Sequence, residues 1–395
     1  MGNTFESGME YVMHTYSRFP VVLESGEGVY VTDENGKTYL DFVAGIAVNS
    51  LGSNNEKLCK AIAEQAKNLI HVSNLYWTKP QIALAKKLID NSCFAKVFFC
   101  NSGAESIEAA LKLARKYAVK KGCERHEIIT MENSFHGRTF GAVSATGQPK
   151  YQKGLYPLLP GISHVPFNNF EALKAAFTDK TCAVIIEPLQ GEGGIHPADK
   201  EYLNQVRRLC DETDTVLIFD EIQCGVGRLG TLFAYESFGV EPDIAVFAKG
   251  LAGGVPIGAM MANNKVVIGF EPGDHASTFG GNPLATAAGN VVMDELLEGN
   301  LLENVKECGA YLSESLSKLK KKHSAIVAVR GIGLMQGIEL NVPVGDIVNK
   351  CMESGLLLVN AGTNIIRFVP ALIVTKKDID KCMEILDNVL NGKTE

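Results

Sequence analysis

One lysine stands where a short apolar run ends, and its position suggests amine chemistry. Lys249 follows the run Ile244–Ala248 and precedes five small or apolar residues, 250–254. A lysine at the mouth of a buried strand loses hydration, which lowers the pKa of its ammonium group and yields a nucleophile able to form a Schiff base. A solvated lysine at a strand end is the ordinary alternative for such a residue taken alone.

Two further positions could bind the parts of a phosphorylated pyridine ring. Asp220 ends the run Val216–Phe219, and a carboxylate there can keep a pyridine nitrogen protonated. Ser102-Gly103-Ala104 opens a helical stretch, and backbone amides at a glycine-containing helix start favour a phosphate. Each position could instead be an ordinary helix cap. Together with Lys249 these groups meet the needs of pyridoxal 5′-phosphate, and Phe135 could stack on its ring.

The elements that must position these residues alternate between short apolar runs and longer amphipathic segments. The runs are strand-length, apolar on both faces and followed by polar or small residues: Val97–Cys100, Ile128–Met131, Ala183–Ile186, Val216–Phe219 and Ile244–Phe247. Strands of this kind, separated by helices, indicate a mainly parallel sheet that is covered on both faces. The predicted class is therefore α/β, and ligands bind such sheets beyond the carboxyl ends of the strands.

The two ends of the chain have a different pattern, which predicts a second and smaller unit. Residues 20–42 alternate around turn signals, as a small antiparallel unit would. Short β-like runs recur near the other end, at Ile338–Leu340 and Ile365–Phe368. We expect a large domain over residues 50–290 and a small α+β domain built from residues 1–49 and 291–395.

Composition and charge exclude several classes of function. Lys plus Arg number 38 against 45 Asp plus Glu, and the net charge of −7 argues against nucleic-acid binding. No apolar stretch approaches the roughly 18 residues of a membrane span, and the polar start of the chain does not resemble a secretory signal. The ten cysteines form no CxxC pair and no Cys/His cluster. We therefore expect reduced thiols, no protein-bound metal and a cytoplasmic location.

A glycine-rich segment offers a competing interpretation. Residues Gly225–Gly230 match the pattern GxGxxG and follow a predicted strand. A dinucleotide site needs these glycines to form the strand-to-helix turn itself, with an acid at the end of the next strand. Here Asp220–Cys224 intervenes and the next strand leads to Lys249, so the segment does not predict a dinucleotide site.

Longer stretches of the sequence resemble the class III pyridoxal-phosphate aminotransferases, and most of all their acetylornithine branch. The lysine segment of that family is matched by Ala248–Leu251 and its acidic segment by Asp220–Arg228. Further matches are Arg18–Pro20, Tyr39–Phe42, Gly45–Asn49, Asn101–Glu105, Phe135–Thr139, Glu187–Gly194 and Ser277–Pro283. The resemblance covers nearly the whole chain and implies the fold type I architecture of pyridoxal-phosphate transferases. It also implies a homodimer with shared active sites.

The resemblance assigns roles at the cofactor site. Lys249 would form the Schiff base and Asp220 would pair with the ring nitrogen, and these two are the expected catalytic residues. Gln223 would lie near the ring hydroxyl, and Thr278 would reach the phosphate across a dimer interface. The expected cofactor-binding residues are Ser102, Gly103, Ala104, Phe135, Glu187, Asp220, Gln223, Lys249 and Thr278.

The resemblance also implies how substrates are held. Arg138 would bind the distal carboxylate of either substrate, and Arg367 the α-carboxylate of glutamate, because a guanidinium binds a carboxylate bidentately. Glu192 would neutralise Arg367 when no α-carboxylate is present, since an unpaired charge in a dry site is costly. Ser277 would lie beside the substrate.

The implied reaction is transamination between N2-acetyl-L-ornithine and 2-oxoglutarate, which gives N-acetylglutamate 5-semialdehyde and L-glutamate in arginine biosynthesis. An ornithine, succinylornithine or 4-aminobutyrate transaminase on the same scaffold remains an alternative, as does a glutamate-semialdehyde aminomutase. A non-catalytic relative with a binding or regulatory role would be expected to lack an intact lysine, aspartate or arginine at these positions.

Overall fold

The computed structural model describes residues 4–392 as an alternation of strands and helices. In chain order the strands are β1 (Leu23–Glu27), β2 (Tyr30–Asp33), β3 (Thr38–Asp41), β4 (Lys96–Cys100), β5 (Glu127–Met131), β6 (Ile162–Val165), β7 (Thr181–Ile186), β8 (Leu189–Gln190), β9 (His196–Pro197), β10 (Val216–Asp220), β11 (Ile244–Phe247), β12 (Gly258–Ala262), β13 (Ile326–Ile332), β14 (Met335–Leu340), β15 (Leu356–Leu357), β16 (Val359–Asn360) and β17 (Ile365–Phe368). The helices are α1 (Thr4–Tyr11), α2 (Ala44–Ala47), α3 (Glu56–Asn68), α4 (Lys79–Asp90), α5 (Gly103–Lys120), α6 (Phe140–Ala145), α7 (Pro149–Gln152), α8 (Phe170–Ala176), α9 (Lys200–Glu212), α10 (Ala234–Phe238), α11 (Pro283–Leu297), α12 (Leu301–Lys322), α13 (Gly345–Glu353) and α14 (Lys376–Leu390). Short 3-10 segments cover Lys249–Ala252 and Val267–Gly269.

A seven-stranded sheet in the order β4-β12-β11-β10-β7-β5-β6 forms the centre of the molecule. Strand β12 is antiparallel to both of its neighbours, and the pairs among β11, β10, β7, β5 and β6 are parallel. All residues of β7, β10 and β11 are buried, as expected for strands covered on both faces. The predicted apolar runs lie in β4, β5, β7, β10 and β11, so the predicted mainly parallel α/β sheet is confirmed.

Helix α5 begins at the mouth of this sheet because Ser102 caps it. The Ser102 Oγ accepts a hydrogen bond from the backbone amide of Glu105 at 3.3 Å, which satisfies one of the free N–H groups of the first turn. Apolar residues three or four positions apart are buried along the helix: Ile107, Leu111, Ala114 and Ala118. Their packing holds the first turn of α5 directly beyond the end of β4.

The two ends of the chain meet in a second sheet. Strands β1, β2 and β3 are antiparallel, and β15 from the other end of the chain pairs in parallel with β3. A separate antiparallel sheet has the order β13-β14-β17-β16. Its strand β17 carries Arg367 and lies next to β14. No helix among residues 4–392 combines the length and the apolar character that crossing a membrane requires.

Candidate active site

A cavity of about 330 Å³ lies beyond the carboxyl ends of β4, β7, β10 and β11, and this volume is typical of small-molecule sites. Its lining contains all of the predicted cofactor-binding residues except Thr278, namely Ser102, Gly103, Ala104, Phe135, Glu187, Asp220, Gln223 and Lys249. These residues are far apart in sequence and meet because their strands end at the same edge of the sheet.

Asp220 forms a buried pair with His136. Asp220 Oδ2 lies 2.7 Å from His136 Nδ1, and Asp220 Oδ1 accepts a hydrogen bond from the backbone amide of Ile222 at 3.0 Å. Burial alone would lower the pKa of His136, but the hydrogen bond and the negative charge of Asp220 outweigh it and raise that pKa. The imidazole therefore presents a proton to the carboxylate and fixes its orientation.

Glu187 binds two backbone amides that border the cavity. Its carboxylate oxygens accept hydrogen bonds from Phe135 N at 3.0 Å and from Gly191 N at 3.3 Å. Burial raises the pKa of Glu187 to about 8, while the charge of His136 opposes this shift and that of Asp220 adds to it. Glu187 thus holds in place the segment that carries the Phe135 ring.

Lys249 begins a 3-10 segment, and its own backbone has a positive φ of 34°. Residues other than glycine rarely adopt this conformation, and they do so where the surrounding structure dictates the backbone. Burial lowers the pKa of the Lys249 amine, the charge of Glu192 opposes this shift and that of Arg367 adds to it. A larger share of the amine is therefore neutral, and hence nucleophilic, than in an exposed lysine.

Arg367, Glu192 and Gln223 form a network beside the lysine. The Nη1 of Arg367 donates hydrogen bonds to Glu192 Oε1 at 2.5 Å and to Gln223 Oε1 at 2.9 Å. Gln223 Nε2 lies 3.4 Å from Glu192 Oε1, so both ends of this amide are engaged within the network. Burial would raise the pKa of Glu192, but the positive charge of Arg367 outweighs it and lowers that pKa.

One nitrogen of the Arg367 side chain is buried without a hydrogen-bond partner among residues 4–392. The side chain is 1% exposed, and the nitrogen is Nε. A buried guanidinium N–H without an acceptor is costly. Neither Arg367 nor Glu192 is part of the cavity lining, and Gln223, which does line the cavity, connects both to it. The structure places Glu192 against Arg367, and its role as a neutralising partner remains a prediction.

The start of α5 offers a close approach to the backbone. A Cβ added to Gly103 would lie 2.7 Å from Ile222 Cδ1, so a larger residue at this position would displace the Ile222 side chain. Gly103 and Ala104 stand in the first turn, where backbone N–H groups lack partners within the helix. Such a turn can cradle a phosphate.

Arg138 lies outside the cavity lining. Its side chain is exposed, and its Cζ stands 3.8 Å from the centroid of the Tyr151 ring and 5.6 Å from that of Phe135. Within residues 4–392 no carboxylate forms an ion pair with it. The guanidinium is therefore free to bind a carboxylate while it remains stacked on the tyrosine.

Ser277 and Thr278 also stand apart from the other site residues. Ser277 Oγ accepts hydrogen bonds from Asn101 Nδ2 at 3.1 Å and from Gly280 N at 3.0 Å. Thr278 is exposed. Asn101 itself lines the cavity, so its hydrogen bond connects Ser277 to the site within one chain.

The sequence pattern predicts no role for His136, although this residue lies in the segment Phe135–Thr139 that resembles the family. A histidine next to the predicted stacking phenylalanine was the available signal, but the partner of that histidine is 84 positions away. The segment Gly254–Ile257 also lines the cavity; its sequence resembles the acetylornithine branch of the family but predicted no site residue.

Comparison with known families decides what kind of site this is. The model of the family described as aminotransferase class-III matches residues 11–390. This chain belongs to the class-III aminotransferases. It is an enzyme of the pyridoxal-phosphate-dependent fold type I, as the sequence resemblance implied.

Its relatives extend over nearly the full length. The chain is 54% identical to the acetylornithine aminotransferase of Caldanaerobacter subterraneus subsp. tengcongensis over 97% of this chain and 98% of the relative. It is 51% identical to that of Methanocaldococcus jannaschii, with 98% of each chain covered. Among solved structures, the ornithine aminotransferase of Toxoplasma gondii superposes with a TM-score of 0.94 at 31% identity, covering 98% of this chain and 94% of the other. The N-acetylornithine aminotransferase of Stenotrophomonas maltophilia has a TM-score of 0.85 at 36% identity and covers 98% of each.

The residues of this chain fit the cofactor of the family. The first turn of α5 at Gly103 and Ala104 has backbone N–H groups that could bind a phosphate, the Asp220 carboxylate could bind a protonated ring nitrogen, and Lys249 presents a buried amine. The cavity has room for a small molecule between these groups. Pyridoxal phosphate is therefore the cofactor of this aminotransferase.

Proposed function

We propose that this enzyme transfers the terminal amino group of N2-acetyl-L-ornithine to 2-oxoglutarate, giving N-acetylglutamate 5-semialdehyde and L-glutamate in arginine biosynthesis. The relatives named acetylornithine aminotransferase, about half identical over nearly the full length, support this reaction. The observation that carries the proposal is the buried Arg367, which is paired with Glu192 and whose Nε has no hydrogen-bond partner within residues 4–392.

This pair suits an enzyme with two different amino donors. Glutamate brings an α-carboxylate next to its reacting amine, whereas acetylornithine has no carboxylate there. With acetylornithine, Glu192 stays on Arg367 and neutralises it, because an unpaired buried charge costs about 3–5 kcal/mol. With glutamate, the α-carboxylate takes the place of Glu192 on the guanidinium. Arg138 would bind the distal carboxylate of either substrate.

The bound cofactor supplies an aldehyde that condenses with amines and a protonated ring that stabilises negative charge on the neighbouring carbon. Asp220, oriented by His136, would keep the ring nitrogen protonated. Lys249 Nζ would take the proton from the substrate carbon that bears the amine and deliver it to the cofactor. Phe135 would stack on the ring, Gln223 would lie near its hydroxyl, and Ser102, Gly103, Ala104 and Glu187 would complete the pocket.

We also propose a homodimer with shared sites, in which Thr278 binds the partner's cofactor phosphate and Ser277 lies beside the partner's substrate. Leu75, Tyr76 and Trp77 are 80%, 70% and 86% exposed and border the same groove as Ser277. A large exposed apolar patch of this kind is typical of an interface. Sedimentation analysis should therefore show a dimer, and activity should be lost when the dimer dissociates. A fully active monomer would contradict the shared site.

We also propose a division into two domains and a cellular compartment. The pairing of β15 with β3 supports a small domain built from both ends of the chain, around a large domain that begins near residue 50. Helix α11 runs across residue 290, so we place the second boundary where that helix ends, at Leu297. All ten cysteines are free thiols, which supports the cytoplasm as the compartment.

The test of the function is the split between the two half-reactions. In Arg367→Ala, we expect kcat/KM for the glutamate half-reaction to fall about 100-fold or more, and that for acetylornithine to fall far less. Single-turnover absorbance measurements on one preparation give both numbers, with the exposed Arg208→Ala as control. Equal losses would contradict the proposed division of labour.

A second candidate follows from the similarity to ornithine aminotransferase structures. Ornithine, succinylornithine and 4-aminobutyrate should therefore be assayed beside acetylornithine. One pocket contact is worth about 1–3 kcal/mol between such substrates. A higher kcat/KM for one of these amines than for acetylornithine would replace the proposed substrate, and turnover of glutamate semialdehyde without 2-oxoglutarate would point to an aminomutase.

A further inference from the structure

The glycine-rich segment Gly225–Gly230 serves close packing in the structure. Val226 and Gly227 have positive φ values of 51° and 84°. A Cβ added to Gly227 would lie 2.5 Å from Leu296 Cδ2, so the segment lies directly against α11. On this side the cavity lining ends at Gln223, before the segment begins. The glycines therefore bring a backbone close to its neighbours, and the one long side chain among them needs an explanation of its own.

That side chain, Arg228, is buried without an acidic partner. It is 2% exposed, and none of the ion pairs among residues 4–392 includes it. Burial lowers the pKa of its guanidinium to about 9, with no neighbouring charge contributing, so the group still carries its charge near neutral pH. A buried charge without a counter-charge is costly unless fixed dipoles replace water.

Two carbonyl oxygens supply those dipoles. Arg228 Nη1 donates hydrogen bonds to Leu334 O at 3.1 Å and to Pro370 O at 2.5 Å. The backbone amide of Leu334 in turn donates to Arg228 O at 3.0 Å, and a Cβ on Gly333 would lie 2.7 Å from the same oxygen. Leu334 directly precedes β14 and Pro370 follows β17 by two residues. Arg228 thus ties the ends of both strands to the segment after Asp220.

Arg367 lies on one of these two strands, β17, and is paired with the other, β14. Arg367 pairs with Gly337 in the ladder between β14 and β17, and it stands three residues before Pro370. Its partner Gln223 stands five residues before Arg228 on the other segment. The segment that carries Gln223 and Arg228 is therefore joined twice to the segment that carries Arg367 and Pro370. One link is the hydrogen bond between Arg228 and Pro370, and the other is the 2.9 Å hydrogen bond between Arg367 and Gln223.

We propose that Arg228 is a positioning residue for recognition of the α-carboxylate: it holds Arg367 in register with Gln223 and Glu192 without touching the substrate. This inference rests on the proposed roles of Arg367 and Glu192. Binding of a carboxylate by a guanidinium depends on direction, so a displaced Arg367 loses affinity for a dicarboxylate. A ligand with one carboxylate does not use Arg367 and is little affected.

Binding of two unreactive acids to the holoenzyme separates these cases. Glutarate has two carboxylates and valerate one, and neither has an amine, so calorimetry measures affinity without turnover. In Arg228→Met, which keeps the volume but loses both donors, we expect the affinity for glutarate to fall on the order of 10–100-fold. For valerate we expect a change of less than about twofold. Arg228→Lys keeps the charge, and we expect a smaller loss for glutarate.

A double-mutant cycle tests whether the effect passes through Arg367. In an Arg367→Ala background, the effect of Arg228→Met on glutarate affinity should disappear. Arg207→Met, which removes a partly buried arginine paired with Asp243 elsewhere in the sheet domain, should change neither affinity. Circular dichroism and cofactor stoichiometry establish that each variant is folded; if Arg228→Met is not, the same comparison is made with Arg228→Lys.

Three outcomes overturn the proposal: equal losses for glutarate and valerate, an unchanged glutarate affinity in the folded variant, or an effect of the same size without Arg367. Assay of the wild-type enzyme with acetylornithine distinguishes failure of the proposed function. If the wild-type enzyme does not turn over acetylornithine, but Arg228→Met still weakens glutarate binding and not valerate binding, the proposed substrate is wrong and this inference stands.

Discussion

His136 Nδ1 lies 2.7 Å from Asp220 Oδ2, and the two side chains are 1% and 3% exposed. The pair joins the loop after β5 to the end of β10, although β7 separates these strands in the sheet. His136 Nε2 also lies 3.4 Å from Thr130 Oγ1, so both ring nitrogens have partners. His136 therefore compensates the charge of Asp220, and the Asp220 carboxylate also lines the cavity.

This pair should make stability depend on pH. Because the pKa of His136 is raised in the folded state, its stabilising contribution is complete below the usual histidine pKa of about 6.5 and is lost as pH rises through the raised value. Urea unfolding of the wild-type enzyme and His136→Gln, followed from mildly acidic to alkaline pH, should show a stability difference that shrinks with rising pH. A constant difference would contradict the ion pair.

Lys249→Ala should abolish turnover. The variant loses both the nucleophilic amine and the group that moves the proton, and we expect kcat to fall at least about 10⁴-fold. Rapid-quench measurement of both half-reactions tests this, with cofactor content measured alongside. The exposed Lys60→Ala serves as control. An active Lys249→Ala enzyme with a full cofactor complement would overturn the assignment.

Glu192→Gln should affect the two half-reactions in opposite directions. Without the carboxylate, Arg367 is left charged when acetylornithine binds, so the kcat/KM for that substrate should fall about tenfold or more. Glutamate no longer has to displace a bound carboxylate, so its KM should fall. Stopped-flow titration of each donor measures the pair of constants. A change of both in the same direction would argue against the exchange of carboxylates on Arg367.

Gly103→Ala should weaken cofactor binding through crowding. The added methyl group would lie 2.7 Å from Ile222 Cδ1, and overpacking of this kind costs about 1–3 kcal/mol. Equilibrium dialysis of the cofactor measures the loss, and the second substitution Ile222→Ala should restore part of the affinity. Gly345→Ala, where no atom lies within 4 Å of the added Cβ, is the matched control. Failure of the second substitution to rescue would place the effect elsewhere.

The strands differ in how far they could be predicted. The runs in β7, β10 and β11 are apolar along their whole length, and the structure has strands there. Strand β12, with the sequence Gly-Ala-Met-Met-Ala, lacks β-branched residues, and β6, with the sequence Ile-Ser-His-Val, does not alternate between apolar and polar residues. Both become strands because their backbone groups pair with buried neighbours, a preference that no short window contains.

The sequence by itself determined which chemical groups this protein places at the ends of its strands. Lys249, Asp220 and the start of α5 are recognisable because each depends on a local pattern of one apolar run and the residues that follow it. Family membership follows from the same segments and from their order along the chain.

Only the tertiary structure decided which of those groups contact one another. Asp220 and His136 are 84 positions apart, and Gln223 and Arg367 are 144 apart. The contact of Arg228 with Pro370 spans 142 positions. Burial in the folded chain then sets the pKa directions, and within the described part of the chain it leaves the Arg367 Nε without a partner. A side chain's solvation and its neighbours come from packing and not from spacing along the chain.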